Sequence, residues 1–281
     1  MQRRTVLFTL GKDTPEAAVA AAAEAARDEQ AYLACLLLDK LPGRPYFILG
    51  TSAFASAAMP EDWIDRLNAA RTAAQSRAAA MADMLSRCGC AGDAQYAVCT
   101  GAEMRLHAAQ RAKTCDIVQM AEGLGHDGEV FREALHGALF QSPAPVILNG
   151  SPFAAYERVF LAWNSSLAAS RAAHAALPYL RKAREVIIGC FDPDITEQRD
   201  GEDPGTDAAA WLSHHGCTVT VSQYPDSGAE IGRFILARAK EAGAGLAVMG
   251  AYGHSRLREA VFGGTTRTMI EQTELPVLLA H

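Results

Sequence analysis

The residues best placed to do chemistry are four glycines and a threonine pair in one stretch, "MGAYGHSRLREAVFGGTTRTM", Met249 to Met269. Gly250, Gly253 and Gly263 stand in the spacing G-x2-G-x9-G, and Gly264, Thr265 and Thr266 follow at once. Glycine allows tight turns and close approaches of main chain that a Cβ would block. Backbone N–H groups and threonine hydroxyls at the positive end of a helix make a seat for phosphates. A threonine there is also an ordinary helix cap. The chemistry such a set supports is the holding of an anion. His254 and Arg256 follow the glycine turn, where they could pair with phosphate oxygens or simply face solvent.

Bond-breaking machinery is harder to find. No Walker lysine follows the glycines, and Arg267 comes after both threonines, out of register. There are no paired carboxylates, no Ser-His-Asp order and no nucleophile elbow. The acidic, Pro/Gly-rich run Asp192 to Asp207 lacks a calcium-loop spacing and reads as a mobile loop over the site. Trp163, at the end of an apolar run, could stack on a base or pack into the core.

The elements that must position these residues occur twice. "TVLFTL" (5–10) and "RVFLAW" (158–163) are apolar runs, each followed by a polar turn and an alanine-rich helical stretch. "AYLACLLLD" and "REVIIGCFD" follow as second strands, then helices near Asp62 to Leu85 and Asp207 to His214. "AQYAVCTG" and "CTVTVSQYP" are third strands, leading to the amphipathic stretches "AEMRLHAAQRAK" and "AEIGRFILARAKEAG". "DIVQMA" and "GLAVMG" are fourth strands, and each copy closes on Pro-Val-x-Leu, in "APVILNG" and "LPVLLAH". Near-continuous apolar strands alternating with helices specify parallel sheets covered on both faces. The expected fold class is α/β, two tandem doubly wound parallel-sheet domains of about five strands each. With "NGSPF" as the seam, the domains run over 1–150 and 153–281.

Composition agrees with this plan. A chain of 281 residues suits two domains of ordinary size. A formal charge of −6 offers no field for nucleic acid or an anionic membrane. The N-terminal apolar run is too short for an export signal, and no stretch is long enough to span a bilayer, so a cytoplasmic protein is expected. Seven cysteines without an export signal point to reduced thiols. Cys35, Cys115, Cys190 and Cys217 read as core residues, and Cys88-Gly89-Cys90 as a helix end turning at Gly89 rather than a metal or redox site.

With its glycine pattern set between a strand and a helix, the sequence resembles the universal stress protein family, in tandem form. Nucleotide-binding members carry G-x2-G-x9-G-[Ser/Thr] at this place, matched by Gly250, Gly253 and Gly263. The resemblance implies a Rossmann-like, adenine-nucleotide α-hydrolase-like fold and an adenine nucleotide: ATP, or AMP or ADP, with or without Mg. The phosphates would lie on Met249, Gly250, Gly253, His254, Gly263, Gly264, Thr265 and Thr266, and the adenosine on Ala162, Trp163, Asn164 and Cys190. Two residues depart from the pattern. Gly264 stands where the family has Ser or Thr, which displaces the hydroxyl to Thr265, and Asn164 stands where many members have Asp. The resemblance further implies a role in stress response, weak ATP hydrolysis at most, and self-association by the closing strands "PVILN" and "PVLLA" as a homodimer or an intramolecular pseudo-dimer. The competing expectations are a nucleotide-free protein-interaction scaffold and an ATP-cleaving or adenylating enzyme.

The first copy lacks the motif. Aligning Met120 with Met249 puts Ala121 opposite Gly250 and Leu124 opposite Gly253, while Pro145 and Pro276 align Arg132 and Glu133 with Gly263 and Gly264. A carboxylate where phosphates would sit is repulsive, so the first domain is expected to be a degenerate partner.

Overall fold

The structure is a computed structural model, and it describes residues 4–43, 61–122, 124, 128–193, 195, 203–225, 230–251 and 264–281. The first half runs β1 (Thr5–Gly11), α1 (Glu16–Asp28), β2 (Tyr32–Lys40), α2 (Glu61–Arg87), β3 (Ala91–Cys99), α3 (Gly101–Ala112), β4 (Ile117–Met120), α4 (Glu129–Gln141) and β5 (Val146–Leu148). The second repeats it as β6 (Arg158–Trp163), α5 (Leu167–Leu180), β7 (Glu185–Phe191), α6 (Thr206–His214), β8 (Val219–Tyr224), α7 (Ile231–Glu241), β9 (Leu246–Gly250), α8 (Gly264–Glu271) and β10 (Val277–Ala280).

Local sequence explains these elements. In α1 the residues Val19, Ala22, Ala23 and Ala26 are buried, a helical spacing that turns one face of an alanine-rich segment onto the sheet. Helix α3 opens on a capping box in which the Thr100 hydroxyl accepts the Glu103 N–H and Glu103 accepts the Thr100 N–H. Gly89, at φ +68°, ends α2 as the sequence predicts, and β3 starts two residues later, three residues before the expected strand.

Among the described residues ten strands lie in one sheet, in the order β3-β2-β1-β4-β5-β10-β9-β6-β7-β8. Read outward from its centre, each half has the same order, and every pairing is parallel except that of β5 with β10. The chain leaves β1 towards β3, then returns to β4 on the other side. With right-handed crossovers this puts α1 and α2 on one face and α3 and α4 on the other. The observed packing of α1 on α2 and of α3 on α4 agrees. The doubly wound α/β fold expected from sequence is therefore present twice.

The closing strands find each other within one chain. Val277, Leu278 and Leu279 pair antiparallel with Leu148, Ile147 and Val146, and all six are at most 1 % exposed. Apolar on both faces, neither strand could remain at a sheet edge without presenting unpaired backbone and bare hydrocarbon to water. Polar contacts lock the seam: Asn149 Nδ2 donates to the Gln272 carbonyl at 2.7 Å, and Arg4 donates to the Pro152 carbonyl at 3.1 Å.

None of the seven cysteines is in a disulfide. Burial pushes the Cys35 thiol up to about 12 and those of Cys99 and Cys115 up to about 11. At pH 8 each of these is thiolate to about one part in a thousand or less. Iodoacetamide at pH 8 should therefore label the half-buried Cys88 while leaving Cys35, Cys99 and Cys115 intact, and peptide mass mapping reads the order. Among the described residues no helix is long and apolar enough to cross a membrane.

Candidate functional site

In the second half the chain starts on β6, moves out to β7 and β8, and returns to β9 on the other side. The reversal lies between β6 and β9, and open α/β sheets place ligands outside the carboxyl ends of strands at such a point. Ala162 is registered with Met249 across β6 and β9, and Trp163 with Cys190 across β6 and β7. The structure thus brings Ala162, Trp163, Cys190, Met249 and Gly250 to one edge of three adjacent strands. Ala162 and Trp163 are half-buried there, whereas Cys190 is 2 % exposed and Met249 5 %. The Cys190 thiol faces Gly205, where an added Cβ would stand 2.9 Å from Sγ. Any part Cys190 plays at this edge falls to its main chain.

Asn164 is exposed, but its Oδ1 accepts the Ser166 N–H at 3.4 Å, across Ser165 at φ +55°. Ser166 in turn caps α5, its hydroxyl accepting the Ala169 N–H at 3.1 Å. Gly250 has a reason to be glycine that the sequence did not reveal. A Cβ there would lie 2.5 Å from the Ala168 carbonyl carbon and the Ala169 nitrogen, so it is the main chain of α5 that excludes a side chain. Gly264 is exposed and is the first described residue of α8; Thr265 is half-buried and Thr266 4 % exposed. Of the two threonines, Thr266 faces the core. Gly253, His254, Arg256 and Gly263 lie outside the described residues.

The structure also brings up a residue that sequence reasoning missed. Glu230, at the cap position of α7, accepts a 2.6 Å hydrogen bond from the Thr268 hydroxyl of α8. Its Oε1 lies 3.8 Å from where a Cβ on Gly264 would be, so a carboxylate stands beside the first described residue of α8. Only the packing of α7 on α8 makes these neighbours, and no local spacing announces it. Among the described residues no cluster of His, Cys, Asp and Glu is grouped to hold a metal ion by itself.

In the first half, Ala121 and Leu124 are buried, and Leu124 lies under Gly11. Arg132 and Glu133 lie inside α4, which begins at Glu129, and Glu133 pairs with Arg105 of α3 at 2.7 Å. The carboxylate at the helix start belongs to Glu129.

No protein-family model and no curated protein matches the sequence. Solved structures do. A universal stress protein from Archaeoglobus fulgidus superposes over 98 % of this chain and 95 % of its own, with TM-score 0.63 at 16 % identity. A Pseudomonas aeruginosa protein assigned to the same family superposes over 99 % and 93 %, with TM-score 0.61 at 15 % identity. A third structure, of a functionally unknown protein from the same species, gives 0.60 at 14 % identity over 99 % and 92 %. From end to end, then, this chain has the fold of the universal stress proteins, with the strand order of that fold laid down twice.

Proposed function

We propose that the protein is a tandem universal stress protein whose second domain, 153–281, binds ATP or a related adenine nucleotide and acts as a ligand-sensing module in a cytoplasmic stress response. The first domain, 1–150, is its paired partner. One observation carries the reading: Gly250, the first glycine of the motif, ends a strand beside the switch point, and Gly264, which follows the motif's last glycine, is the first described residue of the next helix. The first turn of a helix has N–H groups without intrahelical partners, and its dipole favours an anion there. The phosphates would rest on that turn and on Thr265, with the adenosine against Ala162, Trp163 and Asn164. Glu230 opposes bare phosphates, yet its carboxylate is a suitable oxygen donor to a Mg²⁺ ion riding on them.

The test is calorimetric. Gly253→Glu and Gly263→Glu each put a carboxylate and its side chain into the glycine loop, and each should weaken ATP binding by at least about a hundredfold, ~2.7 kcal/mol. Thermal unfolding should be unchanged. Wild-type affinity in both variants would overturn the proposal, and no heat from the wild type at millimolar ATP would favour a nucleotide-free scaffold.

A further inference from the structure

Ala251 follows the last residue of β9, at the carboxyl edge where the candidate site of the second half lies. Both of its backbone groups are tied to the end of β10. Its N–H donates to the Ala280 carbonyl at 2.7 Å, and its carbonyl oxygen lies 2.9 Å from Nδ1 of His281. A carbonyl only accepts, so Nδ1 carries the proton and donates. Ala251 is fully buried, where a carbonyl stripped of donors is costly. The first half meets the same need locally. There Ala121 follows β4, its carbonyl accepts the Leu124 N–H at 3.4 Å, and its N–H donates to the Thr9 carbonyl at 2.9 Å. Counted from Pro145 and Pro276, Gly150 occupies the place of His281 and has no side chain to offer.

The His281 ring also touches the first half. It stands edge-on to Phe140 of α4, with ring centroids 5.0 Å apart and planes at 77°, and Phe140 meets His136 one turn back at 5.0 Å and 62°. Such edge-to-face contacts favour one orientation of each ring. Helix α4 is itself held close against α3, where a Cβ on Gly137 would stand 2.1 Å from the Arg105 carbonyl oxygen. An Nδ1–H lies in the ring plane, so the bond to Ala251 lasts only while that plane is kept.

We infer that His281 is a positioning residue for the carboxyl end of β9, and that Phe140 sets its ring. The half without the glycine motif thereby holds the main chain of the half that has it. The consequence for ATP rests on the nucleotide reading of the second half; the placing of Ala251 does not.

The test is amide hydrogen exchange at single-residue resolution on the full chain, without nucleotide. In His281→Ala the Ala251 amide should exchange at least about tenfold faster, while Val248 within β9 and Cys35 within β2 are unchanged. Phe140→Leu keeps apolar bulk but removes the ring, and should give at least about a fivefold rise with Tm unchanged. His281→Asn restores a donor near the place of Nδ1 without an aromatic ring. It should recover most of the protection and be indifferent to Phe140→Leu. The double variant of His281→Ala with Phe140→Leu should exchange no faster than His281→Ala alone. Calorimetry should show ATP bound at least about fivefold more weakly by His281→Ala and by Phe140→Leu. Ala251 exchange unmoved by either substitution, additive effects in the double variant, or ATP binding indifferent to both would each overturn the inference. If the wild type takes up no ATP, the nucleotide reading falls, and the exchange rates still decide whether His281 and Phe140 hold Ala251.

Discussion

Gly250→Ala destabilises the protein by about 3 kcal/mol, the upper end of ordinary overpacking, before any ligand is added. The added methyl meets main chain, the Ala168 carbonyl carbon and Ala169 nitrogen at 2.5 Å, which no rotamer change relieves. Helix α5 cannot easily withdraw. Ser166 caps it, and Ala169, Ala172, Ala173 and Ala176 are each at most 1 % exposed. In thermal unfolding the expected loss is roughly 6–12 °C. ATP affinity per folded molecule, measured in the cold, should change far less than in Gly253→Glu. An unchanged Tm would show that α5 yields at that contact, and the packing account of Gly250 would fail.

Leu278→Asp is the second large effect. Leu278 is fully buried, registered with Ile147 on one side and with Val248 on the other. An aspartate there is an unpaired charge among hydrocarbon at the centre of a ten-stranded sheet, at a cost of several kcal/mol. The expected result is loss of cooperative urea unfolding, or an insoluble chain. Leu278→Ala keeps the test decisive, because it should fold and lose about 3 kcal/mol in one shared transition. Two separate transitions in the wild type, or indifference to Leu278→Ala, would show that the two halves do not depend on this seam.

The twofold plan was readable because each copy repeats the same succession of apolar runs and amphipathic stretches, and those patterns answer to local periodicity. Gly89 at its turn was likewise a local matter. Partners distant in sequence were not readable. Gly250 was read as the end of the fourth strand, where it stands, but its neighbour in space is α5, some eighty residues earlier, so the need for a missing side chain was credited to a ligand. Glu230 was invisible because α7 and α8 meet only in the folded chain. Glu129 was missed because its neighbours in space, Lys40 of β2 and Gly101 of α3, are distant from it in sequence. Glu133, read as a charge where phosphates would sit, has Arg105 of α3 as its partner.

The antiparallel pairing of β5 with β10 has an evolutionary corollary. In an association of identical subunits every substitution is copied into both binding places, and dilution can separate them. Here the tether holds the partners at an effective concentration on the order of millimolar or above, so the assembly is independent of protein level. Each half then acquires mutations alone, and one can keep a glycine cradle while the other installs a glutamate.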